Sequence, residues 1–169
     1  MVGSTDEEPL AVLLLPGRLE DIALEAHARD LLAIPRVVAL EPPRIRLPRF
    51  LRGPGSARQA GRLRFPGRVR LLVLYHPAQY PLARRLIAHY DGVELWYIAP
   101  GREELKAADD RDLQSFNALA RERATQVLAV TETGGVDDAA LRERLRELGV
   151  ISPYAFIPRV PPRHRTRRQ

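Results

Sequence analysis

Apolar residues are grouped along this chain in two ways. Strand-length stretches rich in apolar residues occur at 10–15, 36–40, 69–75, 93–99 and 127–130, the first and last unbroken and the others interrupted only by Arg36, Arg70 and Glu94. Runs of this kind suit strands covered on both faces. Between them lie longer stretches whose apolar positions recur at helical spacing. Leu19, Ile22, Ala23, Ala26, Leu31 and Leu32 predict a helix over 18–33 that Pro35 ends. Leu82, Leu86, Ile87 and Tyr90 predict one over 80–90, closed by Asp91-Gly92. Leu113, Phe116, Leu119 and Ala120 predict a third over 112–125. The last helix starts at Asp137, read as its N-cap, turns Leu141, Leu145 and Leu148 inward, and stops at Gly149. Residues 154–157 read as a final strand, and Pro100-Gly101 opens a polar loop.

Strands separated by ten to fifteen helical residues are the mark of βαβ units. Their right-handed crossovers give a parallel sheet with helices on both faces. The predicted fold is therefore a single Rossmann-like α/β domain over residues 10–160. A flexible acidic lead (1–9) precedes it and a basic tail (161–169) follows. Residues 44–68 break the pattern. They are rich in Arg, Pro and Gly with weak periodicity, and read as a mobile insertion at the rim of the sheet's carboxyl end. In such sheets ligands bind beyond the carboxyl ends of the strands. The loops to watch are thus Pro16-Gly17-Arg18, Glu41–Pro43, Tyr75-His76-Pro77, Pro100-Gly101-Arg102 and Thr131–Gly135.

Composition removes several kinds of chemistry. The 169 residues include no cysteine, so disulfides, thiolate catalysis and Cys-ligated zinc are excluded. The acidic N-terminus is unlike a secretory signal, and a cytoplasmic location is the default expectation. Charge is unevenly placed. All but one of the 27 basic side chains are arginine, Lys106 being the exception. Residues 42–90 carry eleven arginines and no acid, and the tail from Arg159 has no acid either, which leaves the remainder net acidic. A division this sharp suggests one face that meets something anionic, whether nucleic acid, a membrane surface or a phosphorylated acceptor.

Motifs for cofactors are missing. The turn after the first strand holds one glycine, Gly17, where a dinucleotide fingerprint needs several, and there is no P-loop, so no cofactor is expected. The four histidines show no metal-ligand spacing, and no metal site is expected. His27 and His89 fall within helices and are expected on the surface. His164 lies in the tail. His76 differs, because it follows a central strand at its carboxyl end. Its ring has either a functional role or a structural one, bonding a neighbouring loop. No nucleophile elbow surrounds Ser115 or Ser152, and Asp109, Asp110 and Asp112 sit where acids cap a helix. No catalytic residue is assigned.

In the second half of the chain, residues 71–77 (LLVLYHP) are followed by the helix at Pro81–Ile87 and the strand at Val93–Ile98. This order resembles the strand, His-containing loop, helix and next strand of the glycogen-synthase-like group of GT-B glycosyltransferases. Residues 121–132 (RERATQVLAVTE) are similar to its helix end and "A-D-x-V-x-A-V-S-E" strand, with Thr125 at the usual Asp and Thr131 at the usual Ser. Residues 141–149 and 155–160 resemble the closing helix and the "V-I-P-N-G-V" segment, with Arg159 in place of Asn-Gly. The likeness covers about residues 69–160, and residues 10–43 by general pattern alone.

The resemblance implies the N-terminal, acceptor-side half of a GT-B fold. It would be inactive alone and completed by a donor-binding C-terminal domain from the same gene or a separate chain. His76, Gly17, Arg18 and Arg102 then become the acceptor-binding candidates. Inverting members often place a basic His after the first strand, where Pro16-Gly17 stands here. Three accounts follow from the absent donor half: a fragment of a larger transferase, a half that pairs with a partner chain, or a repurposed binding module. The alternative to a transferase is a non-enzymatic anion-binding module that uses the arginine-rich face on nucleic acid or an anionic membrane surface. The acceptor itself is expected to be anionic or membrane-associated, which would bring the protein to a membrane periphery.

Overall fold

A computed structural model describes residues 7–42, 63–107 and 110–152. Five strands, β1 (Pro9–Leu14), β2 (Val37–Leu40), β3 (Arg68–Leu74), β4 (Glu94–Ala99) and β5 (Gln126–Ala129), form one sheet in the order β2-β1-β3-β4-β5. Every neighbouring pair is parallel. The α/β, Rossmann-like fold predicted from the alternation of runs is the one observed. The three central strands are buried almost end to end, whereas β2 and β5 at the sheet edges alternate. That difference explains why the central strands are apolar apart from Arg68, Arg70 and Glu94 near their amino ends: both of their faces are covered.

Helices cover the two faces in pairs. On one face, Ala28 and Leu31 of α1 (Glu25–Leu32) and Leu141 and Leu145 of the last helix (Ala139–Glu147) pack on Leu13, Leu71, Val73, Trp96 and Ile98. On the other, Leu82, Ala83 and Leu86 of α2 (Tyr80–His89) and Ala120 of a thirteen-residue helix (Arg111–Arg123) pack on Leu14, Leu72, Leu74 and Tyr97. Each fully buried leucine of these layers contributes roughly 1.5–3 kcal/mol by leaving water. A short helix, α3 (Arg102–Ala107), follows β4, so the helix at 111–123 is α4 and that at 139–147 is α5.

The structure departs from the sequence reading at several points. The helix expected over 18–33 is divided into a 3-10 turn (Leu19–Asp21) and α1, because Ile22 is extended (φ −90°, ψ 146°). The polar loop expected after Pro100-Gly101 contains α3, with Glu103 and Glu104 in its first turn, where carboxylates favour a helix dipole. Position 138, not 137, is the N-cap of α5. Gly149 does terminate that helix. It has φ +78°, and the Gly149 and Val150 amides donate to the carbonyls of Arg146 and Leu145. Asp110 caps α4 through the Asp112 amide (2.9 Å).

Part of the arginine-rich insertion also lies elsewhere than expected. Leu63 and Phe65 pack against the α2 face, and Arg68 opens β3 at its amino end, opposite the carboxyl-end rim. Residues 43–62, the expected last strand at 154–157 and the tail lie outside the described residues.

The chain moves outward from β1 to β2 and then returns to β3 on the other side. The sheet's switch point is therefore between β1 and β3. Crevices at such points open at the carboxyl edge.

Candidate functional site at the carboxyl edge

Leu14 pairs with Leu74, and the Tyr75 amide donates to the Leu14 carbonyl at 3.3 Å. The segments leaving β1 and β3, Leu15-Pro16-Gly17-Arg18 and Tyr75-His76-Pro77, thus emerge side by side. Gly17, Arg18 and His76, three of the four predicted acceptor-side residues, lie on these two segments. Gly17 has an ordinary backbone, and a β-carbon on it would meet only Ile22 Cγ2, at 4.0 Å. Arg18 is exposed, and its carbonyl accepts from the Asp21 amide to start the 3-10 turn. Glu41, at the end of β2, closes this rim by accepting from the Leu19 amide at 3.2 Å. Arg102 is the first residue of α3, beyond the neighbouring strand β4.

His76 is half-buried. It precedes a 3-10 turn (Pro77–Gln79), and its Nδ1 accepts from the Ala78 amide at 3.1 Å. The turn rests on α4, where the Tyr80 ring lies 6.5 Å from Phe116. The structural bond expected to a neighbouring loop is made instead to His76's own turn, through Nδ1. That bond also fixes the neutral tautomer. A nitrogen that accepts carries no hydrogen, so the proton is on Nε2, which has no hydrogen-bond partner among the described residues. Burial pulls the His76 pKa below its ordinary value of 6.5, and the Glu104 carboxylate of α3 opposes this in part.

A second constellation at the same edge was not foreseen. The Tyr75 hydroxyl lies 2.9 Å from His27 Nδ1, and His27 Nε2 lies 3.0 Å from Asp138 Oδ2. Arg142 Nε donates to the same carboxylate oxygen at 3.1 Å. The chain of donors has one consistent order. The carboxylate needs an N–H from His27 Nε2, so Nδ1 is the acceptor and Tyr75 O–H donates to it. These groups come from the end of β3, from α1 and from the start of α5.

His27 is therefore not the surface residue its helical position suggested: its side chain is 10% exposed, and Tyr75 is 6% exposed. His89 is exposed as expected. The signal for His27 was its spacing. Counted from Glu25, His27, Ala28 and Leu31 share one helical face, and Ala23 and Ala26, which the longer helix would have buried, are exposed. No sequence spacing links His27 to Asp138, 111 residues away.

Burial is the dominant influence on His27 and lowers its pKa from 6.5. Asp138 raises it, and Arg142 opposes Asp138. Burial also pushes the Tyr75 hydroxyl upward, so it remains protonated and a donor. A depressed histidine pKa sets the sign of a pH effect. Above pH 6.5 the imidazole is neutral whether the chain is folded or not. Below 6.5 the unfolded chain takes up the proton first, so stability falls with pH until the folded pKa is passed. Urea unfolding at pH 7.5 and at pH 5.5 is expected to give a lower midpoint at pH 5.5. The double variant His27→Gln/His76→Asn, which keeps the Nε2 donor and the Nδ1 acceptor without titrating, is expected to lose most of that difference.

The opposite, amino end of the sheet holds a structural pair. Arg144 of α5 forms a fork on Glu94, its Nε 3.0 Å from each carboxylate oxygen, and also reaches Glu147 at 2.7 Å. Trp96 Nε1 donates to Glu94 as well. The Arg144 bonds hold the Glu94 carboxyl below its ordinary pKa, and this pair ties α5 to β4. Among the described residues no three His, Asp or Glu side chains gather as a metal site would require, and no helix is long and apolar enough to cross a membrane. Comparison with known proteins found no matching family model, no matching curated protein and no matching solved structure.

Proposed function

We propose that this chain is the acceptor-side half of a GT-B glycosyltransferase, working in the cytoplasm with a donor-binding domain that supplies the sugar nucleotide. The observation that carries the reading is His76, at the carboxyl edge of the strand next to the one that leads into Gly17 and Arg18, with Nδ1 committed to Ala78 and an Nε2–H left over. A neutral imidazole in that tautomer donates one hydrogen bond. It can hold an acceptor hydroxyl through its oxygen, but it has no free lone pair to take the proton. Positioning follows, and general-base catalysis does not. The acid-free arginine run supports an anionic acceptor or one presented at a membrane surface.

Donor phosphates need charges or fixed N–H groups aimed at them, which this reading leaves to the other half. The isolated chain is therefore expected to turn over no nucleotide sugar. Paired with its donor domain, the His76→Ala variant should raise the acceptor KM roughly fivefold to tenfold, the worth of one hydrogen bond, while the donor KM stays unchanged. Calorimetry and a coupled nucleotide-release assay on the purified chain test the first half. Micromolar binding or turnover of a nucleotide sugar by the chain alone would overturn the assignment.

A further inference from the structure

We propose that Tyr75, His27 and Asp138 form a positioning relay that sets the end of β3, and with it His76, at the acceptor site. The inference rests on the acceptor-side reading for its purpose, and on the hydrogen-bond geometry alone for its existence.

Backbone contacts hold this strand end loosely. The last ladder bond, from the Tyr75 amide to Leu14, is 3.3 Å long, near the upper limit for such bonds. His76 follows in extended conformation (φ −154°, ψ 140°) and turns at once into Pro77–Gln79. Consecutive residues of an extended strand face opposite sides of a sheet. Tyr75 belongs to the layer under α1 and α5, while the turn after His76 rests on α4 on the other side. A hydroxyl fixed on one side thus determines where the imidazole emerges on the other.

Asp138 shows what the network displaces. It occupies the N-cap of α5, where an aspartate ordinarily accepts from its own helix's first amides. Here the side chain makes no capping bond, and its oxygen is given to His27 and Arg142 instead. The groups facing His27 are Tyr75 from β3, Asp138 and Arg142 from α5, and Asp30 from α1 itself. They allow a single order of donors, so the tyrosine hydroxyl has one orientation. A rigid order of this kind is what a group that must present a neighbour at fixed angle requires.

The test uses the isolated chain and needs no acceptor, so its failure is separate from failure of the transferase reading. Nitrogen-15 imidazole spectra of the wild-type chain should show both His27 and His76 protonated on Nε2 when neutral. In Tyr75→Phe, which keeps the buried ring and the fold, the His76 midpoint should move up toward the ordinary value as its turn loosens and hydrates. Exchange of the Ala78 amide, the donor to His76 Nδ1, should quicken roughly tenfold. Asp138→Asn should produce the same two changes from the far end of the relay. Val37→Ala, which thins the same core layer without touching the relay, should destabilise the fold and leave both signals in place. If Tyr75→Phe alters the His27 resonances yet leaves the His76 midpoint and Ala78 exchange as they were, the network is structural only. The same conclusion follows if Val37→Ala moves His76 as far as Tyr75→Phe does. A wild-type His27 protonated on Nδ1 would remove the relay altogether.

Discussion

Gly67→Ala is expected to cost about 3 kcal/mol of stability, in the upper range for overpacking a well-filled site. A β-carbon at Gly67 would stand 2.3 Å from the Glu8 carbonyl oxygen and 3.0 Å from Leu10 Cγ. The nearest of these is backbone, so no rotamer change relieves it. Relief requires the start of β1 to move off β3, which breaks the bond from the Arg68 amide to Glu8 (2.9 Å) and disturbs the Pro9–Arg68 pairing. Little slack exists nearby, because the register already shifts by one residue between Leu10 and Ala11. The melting temperature should fall by roughly 10 °C, given 2–4 °C per kcal/mol at this chain length. Gly17→Ala is the matched control. With its nearest neighbour 4.0 Å away and no left-handed backbone, it should be neutral or slightly stabilising. Thermal unfolding of the two variants separates the outcomes, and equal melting temperatures would show that β1 yields where the geometry says it cannot.

Asp138→Ala is expected to cost about 2–3 kcal/mol, the range for leaving part-buried polar partners unsatisfied. The substitution removes the acceptor of both His27 Nε2 and Arg142 Nε from a carboxylate only 17% exposed. Asp137→Ala, one residue earlier, should cost under about 1 kcal/mol, since its bond to the Ala139 amide is 3.4 Å long and exposed. Measured by urea unfolding at pH 7.5, the order of the two variants is the point. An Asp137→Ala loss equal to or larger than that of Asp138→Ala would mean that helix capping, not the link to α1, is what the pair of aspartates provides.

Those two aspartates mark the line between what the residues alone determine and what the assembled fold decides. The strands and their parallel arrangement follow from the sequence. Unbroken apolar runs such as residues 10–15 and 71–75 can be satisfied only by covering both faces, and helical stretches between them do that. The end of α5 was equally readable, because only glycine takes the left-handed backbone of Gly149 at no cost. So was the place of His76, one residue past an apolar strand in a fold whose strands all open toward one edge.

Local signals failed where neighbours in space overruled them. A dividing Ile22 reset the helical face and turned His27 inward. Acidic Glu103 and Glu104 hid α3 inside an apparent loop. The ring nitrogen that His76 has to spare is set by the turn that follows it, and the use of Asp138 by an imidazole 111 residues away. Spacing along a chain encodes which face a residue occupies within its own element, because that depends on backbone periodicity. Which side chain meets it from another element depends on how the layers stack, and that is decided only when the sheet is assembled.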